Sequence, residues 1–137
     1  MKYQFTHYLP KEAKMIREKV FMEEQGFEDE FDDIDFTCIH LVVFDDEQPI
    51  GCARLIKDNN AVFGRIAVLK EYRHHHIGSY ILQCLEEKAE ELGYQYTELS
   101  AQVQAIPFYL KNGYEVYGDE YLDEGCPHRH MKKAIKT

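Results

Sequence analysis

The feature that most constrains the fold is a change in the spacing of apolar residues near the middle of the chain. Three runs rich in β-forming residues come first: 37–44, 49–57 and 61–69. Short, turn-like connections join them, which predicts a meander of antiparallel strands. From Ile77 to Leu92 the apolar residues recur at helical spacing, and Gly93 marks the end of this helix. A strand therefore leads through one loop into a long helix.

The segments on either side extend this unit into a larger sheet. Residues 2–8 alternate as an edge strand does, and residues 11–25 carry apolar side chains at helical spacing between Pro10 and Gly26. The C-terminal part predicts a strand, a short helix and two more strands: 94–102, 105–112, 114–118 and 127–135. The predicted fold is α+β, with a mixed, mostly antiparallel central sheet of about seven strands flanked by helices, in a single domain over residues 1–137.

Composition excludes several classes of protein. A chain of 137 residues that is 45% hydrophobic suits one domain with a full core. Its formal charge of -9 argues against nucleic-acid binding, which needs a basic surface. No apolar stretch approaches the roughly 20 residues that cross a bilayer, and no signal-peptide pattern begins the chain. Four scattered cysteines suit a reducing compartment. We therefore expect a cytoplasmic monomer or homodimer without nucleic-acid or membrane partners.

Most of the negative charge lies in one segment. Residues 23–35 carry eight carboxylates and no basic residue, and without them the formal charge would be about -1. This segment is either a solvated loop or a surface that faces a cationic partner.

Three consecutive histidines, His74 to His76, stand between the third of the central strands and the long helix. Adjacent side chains point in different directions, which does not suit a pair of metal ligands. His128 and His130 have strand spacing but no accompanying ligand motif, so we expect no metal cofactor. The free amides of the helix start, beside Arg73, fit an anion such as a phosphate. Alternatively, the histidines are simply exposed polar residues at a helix start.

The stretch "IAVLKEYRHHHIGSYIL" resembles the coenzyme A loop of the GCN5-related N-acetyltransferases, the GNAT family, whose pattern is [R/Q]-x-x-G-x-[G/A]. Arg73 takes the first position of the pattern and Gly78 the last. Downstream, "AQVQAIPFYLKNGYEV" is similar to the family segment that ends A-x-x-x-Y-x-K-x-G-[F/Y]. Upstream, "IREKVFMEEQ" and the acidic stretch resemble a subgroup of short bacterial members. These similarities together cover nearly the whole chain in the right order.

The resemblance implies an acetyl-CoA-dependent N-acetyltransferase. In the family, the backbone of the fourth strand pairs with the pantetheine arm, and the amides of the loop receive the pyrophosphate. A tyrosine at the position of Tyr109 donates a proton to the departing thiolate, and an asparagine at the position of Gln102 contacts the cofactor. We also expect Phe108 to belong to the core. The implied cofactor-binding set is Ile66, Ala67, Val68, Arg73, His74, His75, His76, Ile77, Gly78, Ser79, Gln102 and Phe108.

The resemblance leaves the general base open. Many family members place a glutamate five residues before the asparagine, but Thr97 occupies that position here, and Glu98 would face the other side of the sheet. Glu24, His40 and His128 are the other candidates, with Glu24 and His128 also candidate substrate contacts.

The acceptor would be an amine of a small cationic molecule or a lysine side chain. Cys126 is expected to be structural. The alternative functions are a CoA-binding module without catalysis and a metal-binding regulator.

Overall fold

The computed structural model describes residues 1–27 and 31–135. Its strands are β1 (Lys2–Thr6), β2 (Ile39–Asp45), β3 (Gln48–Lys57), β4 (Ala61–Val68), β5 (Tyr96–Gln102), β6 (Glu115–Asp123) and β7 (Cys126–Ala134). Its α-helices are α1 (Lys11–Arg17), α2 (Ile77–Glu91) and α3 (Ile106–Lys111), accompanied by a π-helical segment (Glu18–Glu24) and three 3-10 turns (Asp33–Phe36, Lys70–Tyr72 and Val103–Ala105). None of the helices in these residues is both long and apolar enough to span a bilayer.

All seven strands form one sheet in the order β1-β2-β3-β4-β5-β7-β6. Every neighbouring pair is antiparallel except β4 and β5, which are parallel. A parallel pair needs a crossover, and α2 supplies it. The predicted mixed sheet of seven strands is therefore confirmed.

Most element boundaries lie within two residues of the prediction, but two elements differ more. The helix expected over 11–25 becomes π-helical at Glu18, and its wider turn places the consecutive Val20 and Phe21 against the core. The strand expected over 114–118 runs on to Asp123 as β6 and forms a hairpin with β7. The turn residues Glu124 and Gly125 both have positive φ, at 54° and 76°, as a tight two-residue hairpin turn requires.

Helices pack on both faces of the sheet. One core cluster joins α2 to the central strands and includes Leu55, Phe63, Ile81 and Leu85. The other lies beneath α1 and the π-helical segment and includes Ile16, Val42 and Leu69. The sheet is thus the middle of three layers.

The sheet opens along the parallel pair. The pairing of β4 with β5 covers only Ala61–Phe63 opposite Thr97–Leu99, whereas β3 follows β4 as far as Val68. A bulge interrupts the pairing of β3 with β4, where Arg65 has a φ of 50°. Beyond Phe63 the edge of β4 that faces β5 is therefore no longer used for sheet pairing, and a cleft separates the two strand ends.

Candidate active site

A cavity of about 800 Å³ lies at the open end of β4. It is bounded by the end of that strand, the loop into α2, the start of α2 and one side of α3. The predicted cofactor residues that line it are Ile66, Ala67, Val68, Arg73, His74, His76, Ile77, Gly78, Ser79 and Phe108. Two others lie elsewhere, because His75 faces a neighbouring hollow and Gln102 lines the second cavity described below.

Two histidines of the loop into α2 have left-handed backbone conformations. His76 is the N-cap of α2, with a φ of 62° and no side-chain cap bond, and His74 has a φ of 68°. A side chain with a Cβ is unfavourable in this left-handed region, which explains the glycine that the family motif has at the position of His76. The loop holds this shape with two histidines. Its uncapped helix start provides N–H groups suited to an anion.

Gly78 allows α3 to approach α2. A Cβ at this position would lie 2.8 Å from Cζ of Phe108, too close for ordinary contact. Phe108 is partly buried, packs on the core and lines the cavity. Gly78, the last residue of the loop motif, therefore sets the position of Phe108, which forms the wall of the cavity opposite the loop.

Arg73 is held by two partners. Its guanidinium donates to both carboxylate oxygens of Glu24, at 2.5 and 2.7 Å, and its Nε donates to the Val68 carbonyl at 3.0 Å. The hydrogen bond from Arg73 lowers the pKa of Glu24. Glu24 lines neither cavity, and a carboxylate that holds an arginine accepts protons poorly. This geometry disfavours Glu24 as the general base.

A second cavity of about 390 Å³ continues from the first and shares Gln25, Ile66 and Ala105 with it. Gln102 donates to Oε1 of Gln25 at 3.1 Å, so a side-chain bridge crosses the cleft near this junction. Tyr109 lines the second cavity, and burial raises the pKa of its phenol to about 12. The phenol therefore stays protonated across the neutral range.

The remaining candidates for the general base differ in whether they line a cavity. Thr97 is fully buried, its hydroxyl lies 2.9 Å from that of Tyr114, and it lines neither cavity. Glu98 accepts from the Asn60 amide at 2.7 Å, and it too is outside both cavities. His40 is buried, with Nε2 donating to the Asp35 carbonyl at 2.9 Å. Among the candidates described, His128 is the one that lines the second cavity.

The acidic segment is only partly solvated. Residues 28–30 lie outside the described chain, but the Asp35 side chain is only 3% exposed. Arg17 and Arg54 both donate to its Oδ1, at 2.8 and 3.0 Å, and Arg54 also binds Asp32 at 2.7 Å. Burial opposes ionisation of Asp35, but these bonds and charges outweigh it and lower the pKa of its carboxyl to about 2. The sequence predicts either a solvated loop or a surface that faces a cationic partner. Asp32 and Asp35 fit neither description, because arginines of the same chain neutralise them.

The same cluster brings three potential metal ligands together. Ligand atoms of Asp35, Cys38 and His40 lie within 4.8 Å of one another, all on buried residues. Arg17 and Arg54 already supply positive charge to the Asp35 carboxylate. The cluster is therefore organised as an ion-pair network.

Sequence patterns did not identify several residues that line the second cavity. Arg54 comes from β3, Arg65 from the β4 bulge, Asp123 from the end of β6 and Glu124 from the turn that follows. The "DEG" triplet between alternating segments is a hairpin signal that could have located the turn. No local signal identifies the arginines, because the sheet brings them in from separate strands.

Comparison with known proteins assigns this architecture to a class. A family model described as "Acetyltransferase (GNAT) domain" matches residues 7–135, so the chain belongs to the GNAT family of acetyltransferases. The family expected from the sequence is confirmed.

Individual relatives agree with this assignment. The uncharacterized N-acetyltransferase YjcF of Bacillus subtilis is 42% identical over 127 residues, which cover 90% of this chain and 91% of that protein. A Lactobacillus plantarum protein assigned as an N-acetyltransferase has a crystal structure with a TM-score of 0.90 and 31% identity, covering 98% of this chain and 97% of that one. An aminoglycoside 6'-N-acetyltransferase complexed with coenzyme A shares the fold, with a TM-score of 0.77, 14% identity, and coverage of 100% and 98%.

Proposed function

We propose that this acetyltransferase uses acetyl-CoA to acetylate an amine, by direct attack of the amine on the thioester. The acceptor belongs to a small cationic molecule or is a lysine side chain. The observation that carries the proposal is the opening between β4 and β5, which joins the larger cavity to the smaller one along a strand edge freed from sheet pairing.

The larger cavity suits the donor. Acetyl-CoA has an anionic diphosphate and a long arm of amides, and the cavity offers an uncapped helix start and the end of β4. The aminoglycoside acetyltransferase with the same fold contains coenzyme A, which supports the same donor. The residues that would hold it are those from Ile66 to Val68 and from Arg73 to Ser79, with Phe108 as the opposite wall.

The smaller cavity suits the acceptor. Its walls include apolar side chains such as Phe27 and Ile56, and the carboxylates of Asp123 and Glu124 border it. Neither carboxylate has an ion-pair partner within residues 1–27 and 31–135. Arg54, which also lines the cavity, is paired with Asp32 and Asp35, so the unpaired carboxylates favour an acceptor with positive charge.

We assign Tyr109 as the general acid. The amine nitrogen bonds to the thioester carbonyl carbon, the carbon–sulfur bond breaks, and the phenol donates its proton to the leaving thiolate. The pKa of about 12 keeps that proton available at the pH of the reaction. Tyr109 packs edge-on against Phe108 and Tyr114, with ring centroids 5.1 and 6.1 Å away, which fixes the ring direction.

The test is a thiol-release assay with acetyl-CoA and a panel of amines that includes spermidine, an aminoglycoside and a lysine peptide. Tyr109→Phe should lower kcat about 100-fold while the Kd of acetyl-CoA changes less than two-fold, because the proton is needed only as the thiolate leaves. Tyr94→Phe, a partly buried tyrosine outside both cavities, is the matched control. Equal losses of affinity and rate in Tyr109→Phe would contradict the assigned role. Acetyl-CoA binding without thiol release from any amine would instead indicate a CoA-binding module.

A further inference from the structure

We infer that His128 is the general base that removes a proton from the acceptor amine. This inference rests on the proposed function and adds the group missing from it, since a protonated amine cannot attack a thioester.

The backbone fixes the tautomer of His128. Its Nδ1 lies 2.8 Å from the carbonyl oxygen of Cys126, and a carbonyl can only accept, so Nδ1 carries a hydrogen. In the neutral ring Nε2 then has a free lone pair. Within residues 1–27 and 31–135, Nε2 has no hydrogen-bond partner, although the residue is only 8% exposed. A buried imidazole is thus held by one nitrogen, and the lone pair of the other nitrogen is unused.

The sheet places this ring beside the junction of the two cavities. His128 on β7 is paired directly with Gln102 on β5, so their side chains are neighbours on one face. Gln102 binds Gln25, which lines both cavities, and His128 lines the smaller one. On its other side His128 is paired with Tyr121 of β6, whose ring centroid lies 6.0 Å away. His128 therefore lines the cavity proposed for the acceptor, next to the residue that bridges to Gln25.

The charged groups around the cavity fit a cationic acceptor. Arg54 from β3 is held by Asp32 and Asp35, and Arg65 from β4 also contacts Asp32, at 3.4 Å. Asp123 at the end of β6 and Glu124 in the following turn contribute carboxylates, which favour an incoming ammonium. The titratable and charged groups of the elements around the ring are Arg54, Arg65, Tyr109, Tyr121, Asp123 and Glu124.

The proton balance closes with two groups. The ammonium gives one proton to Nε2 of His128, which passes it to solvent. The neutral nitrogen then bonds to the acetyl carbon, the carbon–sulfur bond breaks, and Tyr109 protonates the thiolate. The second proton lost by the nitrogen restores Tyr109 through solvent. The products are the N-acetylated amine, free CoA and one released proton.

The experiment uses His128→Asn with the best acceptor found for the wild-type enzyme. Asparagine can still donate to the Cys126 carbonyl but has no base in place of Nε2. At pH 7, kcat should fall about 100-fold, and the deficit should shrink as pH rises to 9.5 because the amine then loses its proton in solution. The Kd of acetyl-CoA should stay within two-fold. His130→Asn, the same change on the same strand but outside the cavity, should retain the wild-type rate.

A second variant tests the base directly. His128→Ala leaves space for a free imidazole. Adding imidazole should raise the rate of this variant at least ten-fold. The inference fails if His128→Asn retains kcat within two-fold of wild type, if its deficit is independent of pH, or if acetyl-CoA affinity falls as much as the rate. Failure of the proposed function gives a different result, because the wild-type enzyme would then release no CoA with any amine.

Discussion

The two cavities of this protein are built in opposite ways. The larger is formed mainly by one stretch of chain, from Ile66 to Ser79, which includes a strand edge free of pairing with β5 and an uncapped helix start. The smaller gathers side chains from the π-helical segment, β3, β4, β5, α3 and the β6-β7 hairpin. The larger cavity should therefore tolerate changes of side chain. The smaller should depend on the buried ion pairs that hold its walls together.

The largest effect is expected from breaking the ion-pair network under the smaller cavity. Asp35→Ala leaves Arg17 and Arg54 without a shared carboxylate, and both are at least 95% buried. Removing one partner of a buried pair costs about 3–5 kcal/mol in the free energy of unfolding. Urea denaturation would measure this. Asp33→Ala, an exposed aspartate in the same 3-10 turn, should change it by less than about 0.5 kcal/mol.

The same network should make stability depend on acid. The pKa of Asp35 is about 2 in the folded chain against an ordinary value of 3.8, so the folded state binds its proton less readily. The contribution of Asp35 is then complete above about pH 4 and is lost as pH falls toward 2. In Asp35→Ala this part of the pH dependence should be missing. Parallel stability curves for wild type and variant between pH 4 and 2 would contradict the role of the buried carboxylate.

The contrast between the cavities also explains which parts of the site the sequence reveals. Arg73 to Ser79 are contiguous, and their strand–loop–helix context is a local pattern, so the loop could be found from periodicity and one motif. Arg54 and His128 reach the smaller cavity only through strand pairing, which no local pattern encodes. The neutralisation of Asp32 and Asp35 was equally hidden, because their partners Arg17 and Arg54 lie 18 or more residues away along the chain. The family of the chain was recognisable because its motifs occur in order over most of its length.

A smaller effect should come from the rim of the larger cavity. Glu24→Gln removes the carboxylate that holds Arg73 and leaves the guanidinium available for a phosphate. Acetyl-CoA should bind about two- to five-fold more tightly, in keeping with the modest energy of a partly exposed ion pair. Calorimetry at two salt concentrations would measure the Kd of acetyl-CoA. The difference between the variant and wild type should be smaller at high salt. Glu23→Gln, the exposed neighbour, should change affinity less. Weaker binding in Glu24→Gln would mean that the ion pair holds Arg73 in place for the cofactor.

The smallest effect concerns the three histidines of the loop. His76→Gly relieves a residue held at a φ of 62°, where a Cβ costs about 1–2 kcal/mol, but glycine adds about 0.5–1 kcal/mol of chain entropy to the unfolded state. The variant should be about 0.5 kcal/mol more stable than wild type and bind acetyl-CoA equally well. His75→Gly is the matched control, because His75 is absent from the positive-φ residues and should only lose stability. If both variants lose affinity for acetyl-CoA, the imidazoles contact the cofactor. If neither variant loses affinity, the loop binds acetyl-CoA through its backbone amides. The larger cavity would then tolerate changes of side chain, unlike the smaller one.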